Sequence, residues 1–236
     1  MKFLISDYDG TLKPFDKDPS FLEKHTFNKN IIAVNNFIKD NNKFMISTGR
    51  NTNSIKKEIE KYKIDYNYLS SYNGRVIFDQ NNKLINAEYI DNVFLEEILN
   101  IEEYIKNITL YDEYGLTDNK ENLIYIYLTL DKLKNIKELV YNWKSKYPEL
   151  RITIDNIFHR INIRKEYNKM LGIKKLLEKE DINIPKKDII TIGDEYNDLE
   201  MINEYDGYHM LVSNPILYFN SNNVATSVNK LIKKIK

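Results

Sequence analysis

The chain has no cysteine in its 236 residues. Disulfides, cysteine-ligated zinc and cysteine nucleophiles are thereby excluded, and the composition fits the cytoplasm. Net charge is absent too, because 35 basic residues balance 35 acidic ones. A nucleic-acid footprint needs a clustered basic face, so no nucleic-acid partner is expected. Apolar runs are short. LIYIYLTL at 123–130 falls well below the length needed to cross a bilayer, and FLIS near the start is cut off by Asp7 before it could serve as a secretory segment. No membrane partner is expected either. Low-complexity and disordered tracts are also missing.

What is there is a chain that is 42% apolar and long enough for one large domain or two modest ones. Strands and helices alternate at first. KFLIS, KFMIST and DYNYLSS read as strands. NKNIIAVNNFIKDNN spaces Ile31, Val34 and Ile38 at helical intervals behind Asn28 or Asn30 as N-cap, and NTNSIKKEIEKY repeats Ile55, Ile59 and Tyr62. Single helices between strands argue for a parallel sheet covered on both faces. YNGRVIFDQNNKLI then carries hairpin turn signals. After it the rhythm changes to helix–strand–strand, stated twice: a helix with Phe94, Leu95 and Ile98, then NITLYD and NLIYIYLTL; a helix with Leu133, Val140 and Trp143, then LRITI and IFHRINIR. This predicts an inserted α+β domain with its own antiparallel sheet over residues 82–163. The first rhythm resumes near Asn168, so residues 1–81 and 164–236 are expected to form a single α/β core, with hinges near 79–83 and 163–167.

Four short pieces carry chemistry: DYDGT at 7–11, STGR at 47–50, Lys169, and GDEYND at 193–198. Three of them sit where an apolar strand ends, and open parallel sheets bind ligands outside the carboxyl ends of their strands. Asp7 and Asp194, with Asn197 and Asp198 close behind, offer hard oxygen ligands that suit Mg²⁺. Such a cation would offset the repulsion between acids as close as Asp7 and Asp9. The Thr48 hydroxyl, the Lys169 ammonium and backbone N–H groups after Asp7 and Thr48 suit the oxygens of a phosphate. A carboxylate nucleophile beside a cation and a phosphate cradle describes phosphoryl transfer through an aspartyl-phosphate. Asp9 would protonate the leaving oxygen and then deprotonate the attacking water. An extended exit from the strand would point Asp7 and Asp9 the same way and turn Tyr8 into packing. Taken singly, each piece has a plainer reading: a polar strand exit, a helix cap, a solvated lysine, a helix start. Their joint occurrence in this order is what selects the chemical one.

The four pieces resemble the motifs of the haloacid dehalogenase superfamily, most closely its Cof-type (IIB) branch, whose cap lies between the second and third motifs. The resemblance implies a Rossmann-like core with an inserted α+β cap, Mg²⁺ dependence and a small phosphorylated substrate, sugar phosphates being favoured. DYDGTL matches the first motif, which implies Asp7 as nucleophile, Asp9 as acid/base and Gly10 beside the phosphate. STGR matches the second, giving Thr48 and Gly49 to the phosphate. Lys169 in YNKMLGIKKLL matches the third. GDEYNDLEM matches the fourth, with Asn197 expected near the phosphate. Asp7, the carbonyl oxygen of Asp9, Asp194 and Asp198 are the implied metal set. SYNGRVIFD is similar to the family's Asn-Gly-Ala segment near the active site, which places Asn73 and Arg75 near substrate, Arg75 standing where alanine is usual. GYHMLVSNP departs from the family's Met-Gly-Asn-Ala run, and the insert is short. The insert is expected to act as a lid, with the loop at 113–122 or Arg160 and Arg164 setting specificity. A phosphomutase using the same two aspartates and a non-enzymatic binding module are the alternatives. The second would predict a broken motif, and no central residue is missing.

Overall fold

The residues Phe3–Ser6 form strand β1 and are buried along their whole length, as a strand covered on both faces must be. The computed structural model that contains this strand describes residues 1–14, 21–99, 105–130, 136–155 and 160–235. The chain divides into two compact units, one of Met1–Asn86 with Tyr167–Lys236 and one of Ala87–Glu166.

In the first unit the chain runs through β1, α1 (Phe21–Lys39), β2 (Lys43–Ser47), α2 (Thr52–Tyr62), β3 (Tyr68–Ser71), β4 (Val76–Asp79) and β5 (Leu84–Ala87). It leaves for the second unit, where it forms α3 (Asn92–Leu99), β6 (Ile105–Tyr111), β7 (Leu116–Thr117), β8 (Tyr125–Leu130), α4 (Ile136–Lys146), β9 (Leu150–Asp155) and β10 (Arg160–Lys165). It then returns as α5 (Lys169–Lys179), β11 (Ile189–Gly193), α6 (Leu199–Glu204), β12 (Tyr208–Met210), α7 (Pro215–Asn220), β13 (Asn223–Ala225) and α8 (Val228–Ile235).

The first unit is built on an eight-stranded sheet in the order β13-β12-β11-β1-β2-β3-β4-β5. The pairs from β13 to β3 are parallel, and β4 turns back antiparallel to β3. The sheet takes in β5, so this unit runs past residue 81 to Asn86. One face packs Leu4, Phe44 and Ile46 against Val34 and Phe37 of α1, Ile55 of α2 and Leu231 of α8. The other packs Phe3, Ile5 and Met45 against Ile173 of α5, Met201 of α6 and Leu217 of α7. Strand order reverses at β1: the chain moves outward to β2 on one side and comes back to β11 on the other. The carboxyl ends of β11, β1 and β2 therefore lie side by side, at the kind of switch point where such sheets bind ligands.

Helix α1 begins at Phe21, well before the expected caps. Asn28 and Asn30 lie inside it, and Asn30 is buried rather than capping. Its amide donates to Leu12 O at 2.9 Å, and its oxygen accepts from Asn229 N and Nδ2. An interior polar side chain with tertiary partners has here displaced a local capping rule.

The second unit holds a five-stranded antiparallel sheet in the order β7-β6-β8-β10-β9. Ile126, Leu128, Ile161 and Ile163 of this sheet pack with Phe94, Val140 and Trp143 of its two helices. Phe94 and Trp143 meet edge to face, centroids 5.4 Å apart. The short strand β7 was not expected from sequence, since two residues give no periodicity to read. Arg160 and Arg164 alternate with Ile161 and Ile163 on β10, and the Arg164 guanidinium lies 5.1 Å from the Tyr125 ring centre. The expected helical position Leu133 lies outside the described residues. Among the described residues no helix is long and apolar enough to cross a membrane.

Candidate active site

Asp7 follows the last residue of β1, and its N–H still pairs across to Ile192 O at 3.0 Å. The chain then turns at once. Leu12 N and Lys13 N donate back to Asp7 O and Tyr8 O, and Gly10 takes φ 80°, which a side chain would resist. The Gly10 N–H donates to Lys13 O at 2.7 Å. Its expected place as a phosphate contact is therefore corrected: the amide is spent on closing the turn. The turn nevertheless leaves Asp7 and Asp9 opening onto one cleft of 590 Å³, lined also by Thr48, Gly49, Arg50, Glu195, Tyr196 and Asn197. Tyr8 points away into the core, and its hydroxyl donates to Glu58 Oε2 at 2.9 Å.

At the end of β2, Thr48 N donates to Ser70 O, and the Thr48 hydroxyl accepts from Arg50 N at 3.2 Å. Asn51 caps α2 by accepting from Ser54 N, which turns the chain away from the cleft. Arg50 reaches back instead. Its Nε and Nη2 donate to the two carboxylate oxygens of Asp9, each at 2.7 Å. Nothing in the STGR motif taken alone assigns Arg50 this partner. The signal that could have found it is the uncompensated acid pair seven residues into the chain, which asks for a fixed cation.

Lys169 opens α5, and Asn168 caps that helix by accepting from Leu171 N. Lys169 is fully buried. Its Nζ donates to Asp7 Oδ1 at 2.5 Å and to Asp198 Oδ1 at 2.6 Å. The other Asp198 oxygen accepts from Asp194 N and Glu195 N, 3.0 Å each, so this carboxylate folds the loop after β11 around itself. Gly193 makes room for it, because a Cβ there would run into the Asp198 carboxyl. Asp194 in turn accepts from the Thr11 hydroxyl at 2.6 Å. Thr11 is a second contributor that its place in DYDGT does not by itself reveal.

Carboxylate oxygens of Asp7, Asp194 and Asp198 all lie within 4.8 Å of one another. Burial pushes the Asp7 carboxyl well above the usual range, with the neighbouring Asp198 and Asp194 adding to the rise and Lys169 opposing it. Burial likewise pushes Asp194 up to about 6, aided by Asp198 and resisted by the Thr11 hydrogen bond. For Lys169 burial works against the charge, but Asp198 and Asp7 outweigh it and hold the ammonium more firmly protonated than a free lysine. One ammonium thus serves three buried acids. The donor set is all oxygen, buried and short of positive charge, and it fits a hard divalent cation. Asp198 has both oxygens engaged within the protein, which leaves Asp7 and Asp194 the better placed to face an ion. The Asp9 carboxylate stands apart from this cluster, on Arg50.

Asn197 and Asn73 come together, the Asn197 amide donating to Asn73 Oδ1 at 2.8 Å. Asn73 also contacts Gly49, where a Cβ would lie 3.2 Å from Asn73 Oδ1. Arg75 departs from expectation. Its side chain is buried, and its guanidinium donates to Tyr72 O at 2.7 Å and Tyr167 O at 2.9 Å. These carbonyls outcompete the cleft for a cation expected near substrate. Asn214 lies beside the site: its N–H donates to Asp194 O, and its side chain caps α7 and reaches Glu195.

A family model described as haloacid dehalogenase-like hydrolase matches the chain over residues 4–127 and 101–230. An uncharacterized protein of Mycoplasma capricolum is 26% identical, the match covering 85% of this chain and 86% of that one. Among solved structures, a haloacid dehalogenase-like hydrolase from Bacteroides thetaiotaomicron superposes with a TM-score of 0.74 at 17% identity, covering 100% of this chain and 99% of the other. A protein from Thermotoga maritima gives 0.76 at 17% identity over 100% and 97%. The HAD subclass IIB sugar phosphatase BT4131 gives 0.67 at 16% identity over 99% and 98%.

Proposed function

Since the chain belongs to the haloacid dehalogenase-like hydrolase family, we propose that it is a Mg²⁺-dependent phosphatase of small organic phosphate monoesters, sugar phosphates first among them. The observation that carries this reading is the contact of Asp7 with Lys169 at the floor of a cleft that Asp9 and Thr48 also line. A nucleophile and a proton carrier then open onto one cleft, with a fixed cation bonded to the nucleophile.

In this reading an Asp7 oxygen attacks phosphorus opposite the ester oxygen. The P–O ester bond breaks, the departing oxygen takes the Asp9 proton, and Asp7 carries the phosphoryl group. Asp9, now a carboxylate, takes a proton from water as the water oxygen attacks phosphorus. The bond to Asp7 breaks and inorganic phosphate leaves. Lys169 and the Thr48 hydroxyl hold the non-reacting oxygens, with Gly49 and Asn197 on the cleft wall. Asp198 keeps Lys169 aimed. Asp7 and Asp194 would hold Mg²⁺, with Asp198 behind them. Bound there, Mg²⁺ supplies Lewis-acid stabilisation of charge building on the phosphate oxygens.

The test is phosphate release from a panel of metabolite monoesters with and without Mg²⁺, run beside Asp7→Asn. Release by the native protein that needs Mg²⁺ and disappears in the variant supports the reading. No release from any ester, or equal release by the variant, sinks it.

A further inference from the structure

The turn between β3 and β4 is the most contorted stretch among the described residues. Tyr72, Asn73 and Gly74 take φ of 52°, 56° and 94° in succession. Side chains resist this left-handed region, so three consecutive residues there need outside support. The turn touches two of the segments that line the cleft and the helix that carries Lys169. Asn73 N donates to Thr48 O at 2.9 Å, and Asn73 Oδ1 accepts from Asn197. Gly74 lies directly against the start of α5: a Cβ there would strike Asn168 O, and a Cβ on Gly172 would come within 2.7 Å of Gly74 Cα. Backbone meets backbone, with no side chain between to absorb movement.

Arg75 is the support. One guanidinium nitrogen donates to Tyr72 O and closes the turn on itself. Another donates to Tyr167 O, two residues before Lys169. Only a fork of planar donors can serve both carbonyls from one buried position. Downstream, Asn168 caps α5, and Lys169 projects from its first turn to Asp7 and Asp198.

We propose that Arg75 is a positioning residue: by bonding Tyr72 O and Tyr167 O it locks the 72–75 turn to the first turn of α5 and so holds Lys169 against Asp7. The consequence for turnover rests on the phosphatase reading; the positioning itself does not.

Two variants test it. Arg75→Met keeps bulk and removes both donors. Arg75→Lys keeps the charge but offers no fork. Hydrogen exchange followed by mass spectrometry reads peptides covering 72–75 and 166–172, with peptides from β1 and β2 as internal reference. In Arg75→Met exchange in those two peptides is expected to speed up by about tenfold or more while the reference strands keep their protection. Arg75→Lys should fall between the native protein and Arg75→Met, and it carries the same readings alone if Arg75→Met does not fold. With a hydrolysed ester, kcat should fall about tenfold or more with a smaller change in KM, because Lys169 is displaced rather than removed. Unchanged exchange at 166–172, or a loss of protection as large in β1 and β2, would overturn the proposal. If the native protein hydrolyses no ester, the phosphatase reading falls and the exchange comparison still decides the role of Arg75.

Discussion

Arg50 grips Asp9 with two parallel hydrogen bonds of 2.7 Å, Nε to Oδ2 and Nη2 to Oδ1. The guanidinium carbon sits 5.2 Å from the centre of the Tyr8 ring. That ring is pinned in turn by the bond from its hydroxyl to Glu58, which also takes Lys13 at 2.5 Å. The residue proposed to move the proton is thus parked on a cation, and a leaving group must draw it from that pair.

Replacing Arg50 separates aim from stability. The pair is partly open to solvent, with side-chain exposures of 30% and 39%, so its loss should change unfolding free energy by about 1 kcal/mol or less. Loss of the bidentate bond lets Asp9 swing, and Arg50→Ala is expected to lower kcat by about tenfold or more. Arg50→Lys should recover part of it. Steady-state kinetics beside urea unfolding checks this, and a kcat that rises in Arg50→Ala would mean the pair restrains the reaction instead of guiding it.

Lys169 is expected to matter for folding as well as chemistry. Lys169→Met leaves Asp7 and Asp198 facing each other with no charge between them. Breaking a buried ion pair on one side costs about 3–5 kcal/mol. Urea unfolding near neutral pH should show a loss of that size. The loss should shrink in acid, where Asp7, its carboxyl already held above the usual range by burial, takes up a proton.

Metal should stabilise the protein more as pH rises. Asp194 is raised to about 6 and Asp7 also lies well above its ordinary value. The folded state therefore binds protons more tightly than the unfolded chain: Asp194 withdraws stability as pH climbs from the unfolded carboxylate value through about 6, and Asp7 acts in the same direction. A cation competes with those same protons. The rise in melting temperature on adding Mg²⁺ is expected to be larger at about pH 7.5 than at about pH 5. Asp194→Asn should melt higher than the native protein without metal and lose most of the response to it. An Mg²⁺ effect independent of pH would contradict this account.

Asn30 ties three distant segments together through Leu12 O and two donors of Asn229. Asn30→Ala strands those groups in a buried place. A loss of about 1–3 kcal/mol in urea unfolding is expected, with kcat nearly unchanged because Asn30 lies outside the cleft.

Much of this was legible in the sequence because apolar strands stop abruptly at polar residues. FLIS before Asp7 and IITIG before Asp194 gave both the buried strands and the acids at their ends. Tyr8 was legible as packing from alternation alone. What escaped reading depends on who meets whom. Gly10 was expected to face a phosphate, but Lys13 O claims its amide. Arg75 was expected near substrate, but two carbonyls 92 residues apart in one case and three in the other claim it. Asn30 looked like a cap and is an interior link. Hydrogen-bond competition is decided in three dimensions, and residue type alone does not announce the winner.

The central position of β1 has a consequence for how the protein is made. Its register on one side is with β2, where Phe3 pairs Lys43, and on the other with β11, where Phe3 pairs Ile189. A ribosome delivers β2 early but must synthesise the whole second unit and α5 before β11 emerges. Throughout that interval the nascent chain carries an apolar strand with one bare edge, the kind of template that recruits wrong partners. A chain stalled before Ile189 would keep that edge open indefinitely.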